Sequence, residues 1–215
     1  MMNYKNVNKF IFNSFGVNTY ILADAITGKC LVIDPACQYK GEETELLGFL
    51  TENRLQPVAM LNTHYHIDHI LGNTLICNTY KLSPQCHKSS KLLWETATDF
   101  GRVFGIKVED LIIPVDFIDE GDSIPFGEST VKILYTPGHA DGSICLVNHA
   151  DRYVITGDVL FRDSIGRTDL PTGNFDTLYQ SITTKIFTLP DDYIVYPGHG
   201  PETTIGYEKL NNPFL

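Results

Sequence analysis

The chain has 215 residues, of which 43% are hydrophobic and 20% charged, and its 16 Lys and Arg against 26 Asp and Glu leave a net charge of −10. This apolar fraction is too high for a disordered chain, and the length suffices for a core that needs no disulfide staple. No Lys/Arg run exceeds two residues and no uncharged apolar run reaches 18, so neither a nucleic-acid partner nor a membrane span is expected.

The elements follow in chain order. KFIFN (9–13), TYILAD (19–24) and CLVID (30–34) are rich in β-branched and aromatic residues and are separated by turns, which predicts three strands. Asp34-Pro35 closes the third. Leu46, Leu47, Leu50 and Leu55 recur at helical spacing behind acidic residues 42, 43 and 45, predicting a helix from Glu42 to Leu55. PVAMLNT (57–63) reads as a buried strand, and Lys88–Phe100 as a helix with Trp94 in the core. Strands resume at VKILYT (131–136), ICLVNH (144–149) and YVITGD (153–158). Phe175, Leu178, Ile182, Ile186 and Leu189 line one helical face behind Asn174 as N-cap, and YIVYP (193–197) is a last strand. One α/β domain spanning 1–215 is expected.

The five cysteines (30, 37, 77, 86, 145) are odd in number and form no CxxC, which disfavours both a disulfide framework and a zinc ribbon. The N-terminal MMNYKNVNKFIF lacks the apolar stretch of a signal peptide. A soluble cytoplasmic protein is the expectation, with its oligomeric state left open.

The histidines are more specific. Three are packed into His64-Tyr65-His66-Ile67-Asp68-His69, a hexapeptide pattern that chance would place in roughly one such chain in two thousand. His139 and His199 each follow a glycine just past an apolar strand-like run, and Asp158 ends another. Strand ends feeding loops are where α/β folds place chemistry. In an extended segment, i and i+2 project to one side, so His64 and His66 can converge on one ion while Asp68 and His69 face a neighbouring one. Imidazoles with carboxylates suit zinc, and also iron or manganese. With His139, Asp158 and His199 the set is too large for one open site and serves two divalent transition-metal ions, Asp158 being able to bridge them. His87, His149 and Cys145 read as structural residues.

Taken with THYHIDH (63–69), the segments TPGHADGS (136–143), TGDVLF (156–161), SIGRTDLP (164–171), YPGHG (196–200), NTYIL (18–22) and VIDP (32–35) resemble the metallo-β-lactamase superfamily over essentially the whole chain, and within it the glyoxalase II-like branch. The resemblance implies a four-layer αββα sandwich with metals at one edge between the sheets. It implies His64, His66 and His139 on a first metal, Asp68, His69 and His199 on a second, and Asp158 between them. β-Lactamases of the fold typically have cysteine at the Asp158 position, which sets antibiotic hydrolysis aside as the main activity. Only 16 residues follow His199, so the C-terminal helical domain that helps full-length glyoxalase II bind glutathione is not expected.

The expected reaction is hydrolysis of a small-molecule hydroxyacyl thioester by a metal-bridging hydroxide, with Asp68 as the catalytic residue that orients it. Arg167 could hold a substrate carboxylate in fork geometry, or merely pair with Asp169 in a surface turn. Asp141 could support the site or cap a turn. Persulfide dioxygenases share the fold and the G-R-T-D turn, and would use a single iron on His64, His139 and Asp158. A non-catalytic metal-binding protein is a more remote alternative.

Overall fold

Period-two alternation sets the layers. The structure, a computed structural model, describes residues 5–103, 105–106 and 111–215. Strands β1 (Val7–Phe12), β2 (Val17–Ala23) and β3 (Lys29–Ile33) form an antiparallel meander. Helix α1 (Lys40–Glu52) then crosses to β4 (Gln56–Leu61), and α2 (Asn73–Tyr80) to β5 (Pro84–His87), both strands running parallel to their predecessors. Helix α3 (Lys91–Val103) precedes β6 (Asp116–Ile118) at the far edge of this first sheet, whose order is β1-β2-β3-β4-β5-β6.

The second sheet is built from β7 (Ser123–Phe126), β8 (Ser129–Tyr135), β9 (Ile144–Asn148), β10 (Tyr153–Gly157), β13 (Ile194–Pro197) and β14 (Thr203–Thr204), in the order β14-β13-β10-β9-β8-β7. A small hairpin of β11 (Leu160–Phe161) and β12 (Ser164–Ile165) follows β10. Helices α4 (Phe175–Thr184) and α5 (Ile205–Asn211) complete the chain.

Tyr20, Leu22, Leu31 and Ile33 of the first sheet meet Ile133, Ile144, Leu146 and Ile155 of the second. The alternate residues Ile21, Cys30 and Val32 point outward, against Leu46 and Leu50 of α1 and Ile76 of α2. Cys145, Val154 and Val195 do the same against Leu178 and Ile182 of α4 and Ile205 of α5. With both faces of each sheet covered, the strands read as near-continuous apolar runs. The architecture is the expected αββα sandwich. No helix among the described residues is long and apolar enough to cross a membrane.

Two helices end earlier than expected. α1 stops at Glu52, because Arg54 takes a left-handed conformation (φ 54°) and turns Leu55 back into the core. The helix opened by Asn174, whose side chain accepts the Thr177 N–H, breaks at Thr184, and Ile186–Thr188 continue as a 3₁₀ turn. Thr183 and Thr184 bond back to the carbonyls four residues earlier, which weakens a helix. Residues 88–90 are likewise 3₁₀, and α3 proper begins at Lys91. Helices α2 and α5 and strands β5, β6 and β7 have no counterpart among the expected elements. Trp94 is buried with Tyr65, Ile67 and Leu93 where α3 packs against the 64–70 loop.

Candidate metal centre

β8, β10 and β13 point the same way in the second sheet. Their C-terminal ends deliver His139, Asp158 and His199, while the loop after β4 delivers His64, His66, Asp68 and His69. A hydrogen bond from Ile144 N–H to the Thr63 carbonyl (2.8 Å) stitches that loop to the second sheet. The structure thus gathers all seven candidate donors at one edge, between the sheets.

They fall into two clusters, His64/His66/His139 and Asp68/His69/His199, and within each the ligand-type atoms lie within 4.8 Å of one another. Asp158 stands between them, with Oδ2 at 3.7 Å from His139 Nε2 and 3.5 Å from His199 Nε2. In the second cluster, Asp68 Oδ2 lies 3.5 Å from His199 Nε2 and 3.7 Å from His69 Nε2.

The hydrogen-bond network fixes the tautomers. Asp34, buried beneath the loop, accepts the Thr63 N–H at 2.7 Å and the Thr63 hydroxyl at 2.6 Å, and its Oδ2 also takes the His69 Nδ1–H at 3.0 Å. Thr63 Oγ1, its proton spent on Asp34, accepts His64 Nδ1–H at 3.1 Å. His139 Nδ1–H donates to the Arg167 carbonyl (2.8 Å) and His199 Nδ1–H to the Phe15 carbonyl (3.1 Å). With Nδ1 so engaged, all four rings turn Nε2 toward the cleft. His69 and His199 bring theirs to 3.3 Å, and His139 Nε2 lies 2.9 Å from His66 Nδ1. Facing lone pairs at such distances repel unless a cation or proton sits between them. Among the described residues, His64 Nε2 and Asp158 Oδ1 are buried with no hydrogen-bond partner. Orphaned polar atoms of this kind and a nitrogen-plus-carboxylate donor set are what divalent transition metals fit.

The electrostatics divide in the same way. Burial, reinforced by the neighbouring imidazoles, holds His64 well below the usual histidine range and brings His66 to about 3. Burial also works against protonation of His69 and His199. There Asp158 and Asp68 outweigh it, raising His69 well above its ordinary value and His199 to about 9. The field at the second cluster is strongly negative.

Sequence reasoning missed the supports. Asp34 sits at φ 46°, a left-handed conformation that turns its carboxylate from the strand toward Thr63 and His69. Asn18, fully buried, donates to the Pro197 and Gly200 carbonyls (both 2.9 Å) and so holds the His199 loop. The only advance signal for either was its place in VIDP and NTYIL.

Two lobes of one cleft open at the centre. The first, about 430 Å³, is lined by Phe161, Arg162, Ser164 and Ile165. The second, about 220 Å³, is lined by Phe15, Ile67, Phe100 and Leu170. His139, Asp158, Arg167 and His199 border both. Arg167 makes the two-pronged pair with Asp169 (2.7 Å each) in an exposed turn, so the pairing and the cleft position are both present. Asp141 is exposed, and its N–H donates to Thr172 Oγ1, a turn contact. His87 stacks on Tyr135 and pairs with Asp119, His149 bonds the Tyr193 hydroxyl, and Cys145 is core.

The chain is similar to known proteins in both sequence and fold. Hydroxyacylglutathione hydrolase GloC of Haemophilus influenzae is 37% identical over 186 residues, 86% of this chain and 86% of that one. Among solved structures, BLEG-1, a B3 metallo-beta-lactamase, matches with TM-score 0.88 at 31% identity, over 97% of this chain and 99% of that one. TTHA1623 in a di-iron-bound form matches with TM-score 0.87, also at 31%, over 97% and 100%. Residues 13–199 match the family described as the metallo-beta-lactamase superfamily, and it is to that superfamily of metal-dependent, generally hydrolytic enzymes that the chain belongs.

Proposed function

We propose that this protein is a thioesterase of the hydroxyacyl-thiol type, working with two divalent transition-metal ions, zinc in the first instance. The observation that supports it most is the pair of donor clusters on either side of Asp158, each with two ring nitrogens brought to within 3.3 Å of one another. His64, His66 and His139 would hold one ion, Asp68, His69 and His199 the other, with Asp158 shared. Ions bound there would supply Lewis-acid polarisation and a water acidic enough to react near neutral pH.

The chain's own residues do the remainder. Asp34, the Arg167 carbonyl and the Phe15 carbonyl keep His69, His139 and His199 in one tautomer and orientation. Asp68 is the catalytic residue: its carboxylate, 3.5 Å from His199 Nε2, would orient the reacting water. Phe15, Ile67, Phe100 and Leu170 form an apolar wall that keeps bulk water from the acyl group, and Arg167 reaches both lobes to meet a substrate carboxylate. A thiolate leaves with a pKa near ~8.5, so no additional proton donor is required.

The likeness to GloC favours a thioester, and the likeness to BLEG-1 puts a β-lactam in the same panel. The test is metal analysis of the purified protein followed by rates on thioester, lactone and β-lactam substrates. Two ions per chain with thioester turnover is the expected result. One iron per chain with oxygen uptake would replace the reading with the single-iron oxygenase, and two ions with only β-lactam turnover would replace the substrate.

A further inference from the structure

We propose that the tip of the β1–β2 hairpin is a positioning element for the second cluster alone, with Asn13 as its central residue; this rests on the two-cation reading above. The tip is a four-residue turn, Asn13-Ser14-Phe15-Gly16, closed by Gly16 N–H to the Asn13 carbonyl at 3.3 Å. Asn13 takes a left-handed conformation (φ 54°), one that asparagine tolerates better than most residues.

That conformation spreads its hydrogen-bonding groups in four directions. The Asn13 N–H donates to Glu42 Oε1 at 2.7 Å, and Glu42 Oε2 in turn accepts the Gln38 N–H, anchoring the tip to the start of α1. Asn13 Oδ1 accepts the Phe15 N–H at 2.9 Å, which sets the peptide that follows. Asn13 Nδ2 donates to the Ala36 carbonyl at 3.0 Å and to the Asp68 carbonyl at 2.9 Å. One side chain thus ties the backbone of Asp68 to the turn, and that turn presents the Phe15 carbonyl to His199 Nδ1.

The connection is selective. Asp68 and His199 are two of the three members of the second cluster. The first cluster draws its supports from elsewhere, His64 from Thr63 and His139 from the Arg167 carbonyl. The same hairpin grips the His199 loop lower down, through Asn18 N–H to the Gly198 carbonyl at 2.7 Å and Tyr20 Oη–H to the Pro197 carbonyl at 2.7 Å. Asn13 sets the outer half of this clamp, and the Phe15 ring at its tip lines the apolar lobe of the cleft. Substrate filling that lobe would press on the element that aligns the second ion's donors.

Asn13→Gly removes the side chain while leaving a residue at ease at positive φ, so backbone strain does not confuse the outcome. The metal-free protein and this variant are titrated with cobalt ions, following calorimetry and the visible absorption bands. The wild type takes up two ions, and in Asn13→Gly one of the two constants worsens about 10- to 100-fold, the usual cost of losing an outer support, while the other changes less than about threefold. Equal constants in the two proteins, or both constants falling together, would overturn the proposal. A wild type that takes up one ion would instead remove the two-cation reading, and the proposal with it. Should the glycine variant fold poorly, Asn13→Ser, too short to span both carbonyls, is read in the same way.

Discussion

The two donor clusters lie side by side and are built by opposite means. His64, His66 and His139 are a nitrogen-only set, and in its two HxH members burial and the neighbouring imidazoles suppress protonation. Their supports are short-range in space and internal to the sandwich: a threonine next in sequence and a backbone carbonyl. Asp68, His69 and His199 lie in the field of two carboxylates, which raises both imidazoles despite burial. One of their supports, Asp34, is buried beneath the loop and shared with Thr63, while the other reaches in from a hairpin tip. A nitrogen trio holds an ion by coordination geometry, whereas the carboxylate cluster adds charge to geometry. The first should therefore be the more selective for zinc-like ions, and the second the more sensitive to the backbone around it.

The largest test of that contrast is His66→Ala. It removes a donor from the cluster with no carboxylate of its own, so the ion there should be lost and hydrolysis should fall by roughly 10³-fold, comparable to deleting a principal transition-state stabiliser. Elemental analysis beside kcat checks it; retention of both ion and rate would dissociate the nitrogen trio from the chemistry. Next in size is Gly198→Ala, which alters no donor. A methyl there would come within 2.1 Å of Asp158 Oδ1 and 2.9 Å of His69 Cε1. Displacing Asp158 should lower affinity at both clusters by about 10- to 100-fold, a pattern that separates it from a support serving one cluster. Asp34→Asn is expected to act in the same range but on His69 first, because an amide keeps the volume while its NH₂ can face the His69 Nδ1–H. A cobalt spectrum unchanged in Asp34→Asn would show that the tautomer of His69 is set by something else.

How far this could be read from residues alone follows from the range of each contact. The His64–His66 relation is local, set by two residues of extended chain, so spacing revealed it. The convergence of His139, Asp158 and His199 was legible because each follows an apolar strand-like run, and parallel strands end together. Asp34 to His69 spans 35 residues and Asn13 to Asp68 spans 55, and no local pattern distinguishes those two polar residues from ordinary turn formers. Among the elements, α2 is held as a helix by burial of Ile76 and Cys77 although its sequence, NTLICNTY, is rich in Asn and Thr. β5 is only Pro84–His87, too short to show alternation, and takes its form from pairing with β4 and β6. Tertiary packing outweighed propensity in both.

The smallest expected effect concerns the rim that both lobes share. Arg167 is exposed and already paired with Asp169, and surface pairs of this kind contribute little to stability, so Arg167→Ala should leave the unfolding temperature unchanged to within a degree or so. Its carbonyl, which holds His139, survives the substitution, so the metal count should also stand. What remains is the side chain of a residue that borders both lobes. For thioesters bearing a free carboxylate, KM should rise about three- to tenfold at constant kcat, the pattern of a contact equally strong before and during reaction, while neutral thioesters should show no change. An equal KM for both classes would leave the Arg167–Asp169 pair as a surface turn and place recognition of the substrate elsewhere in the cleft.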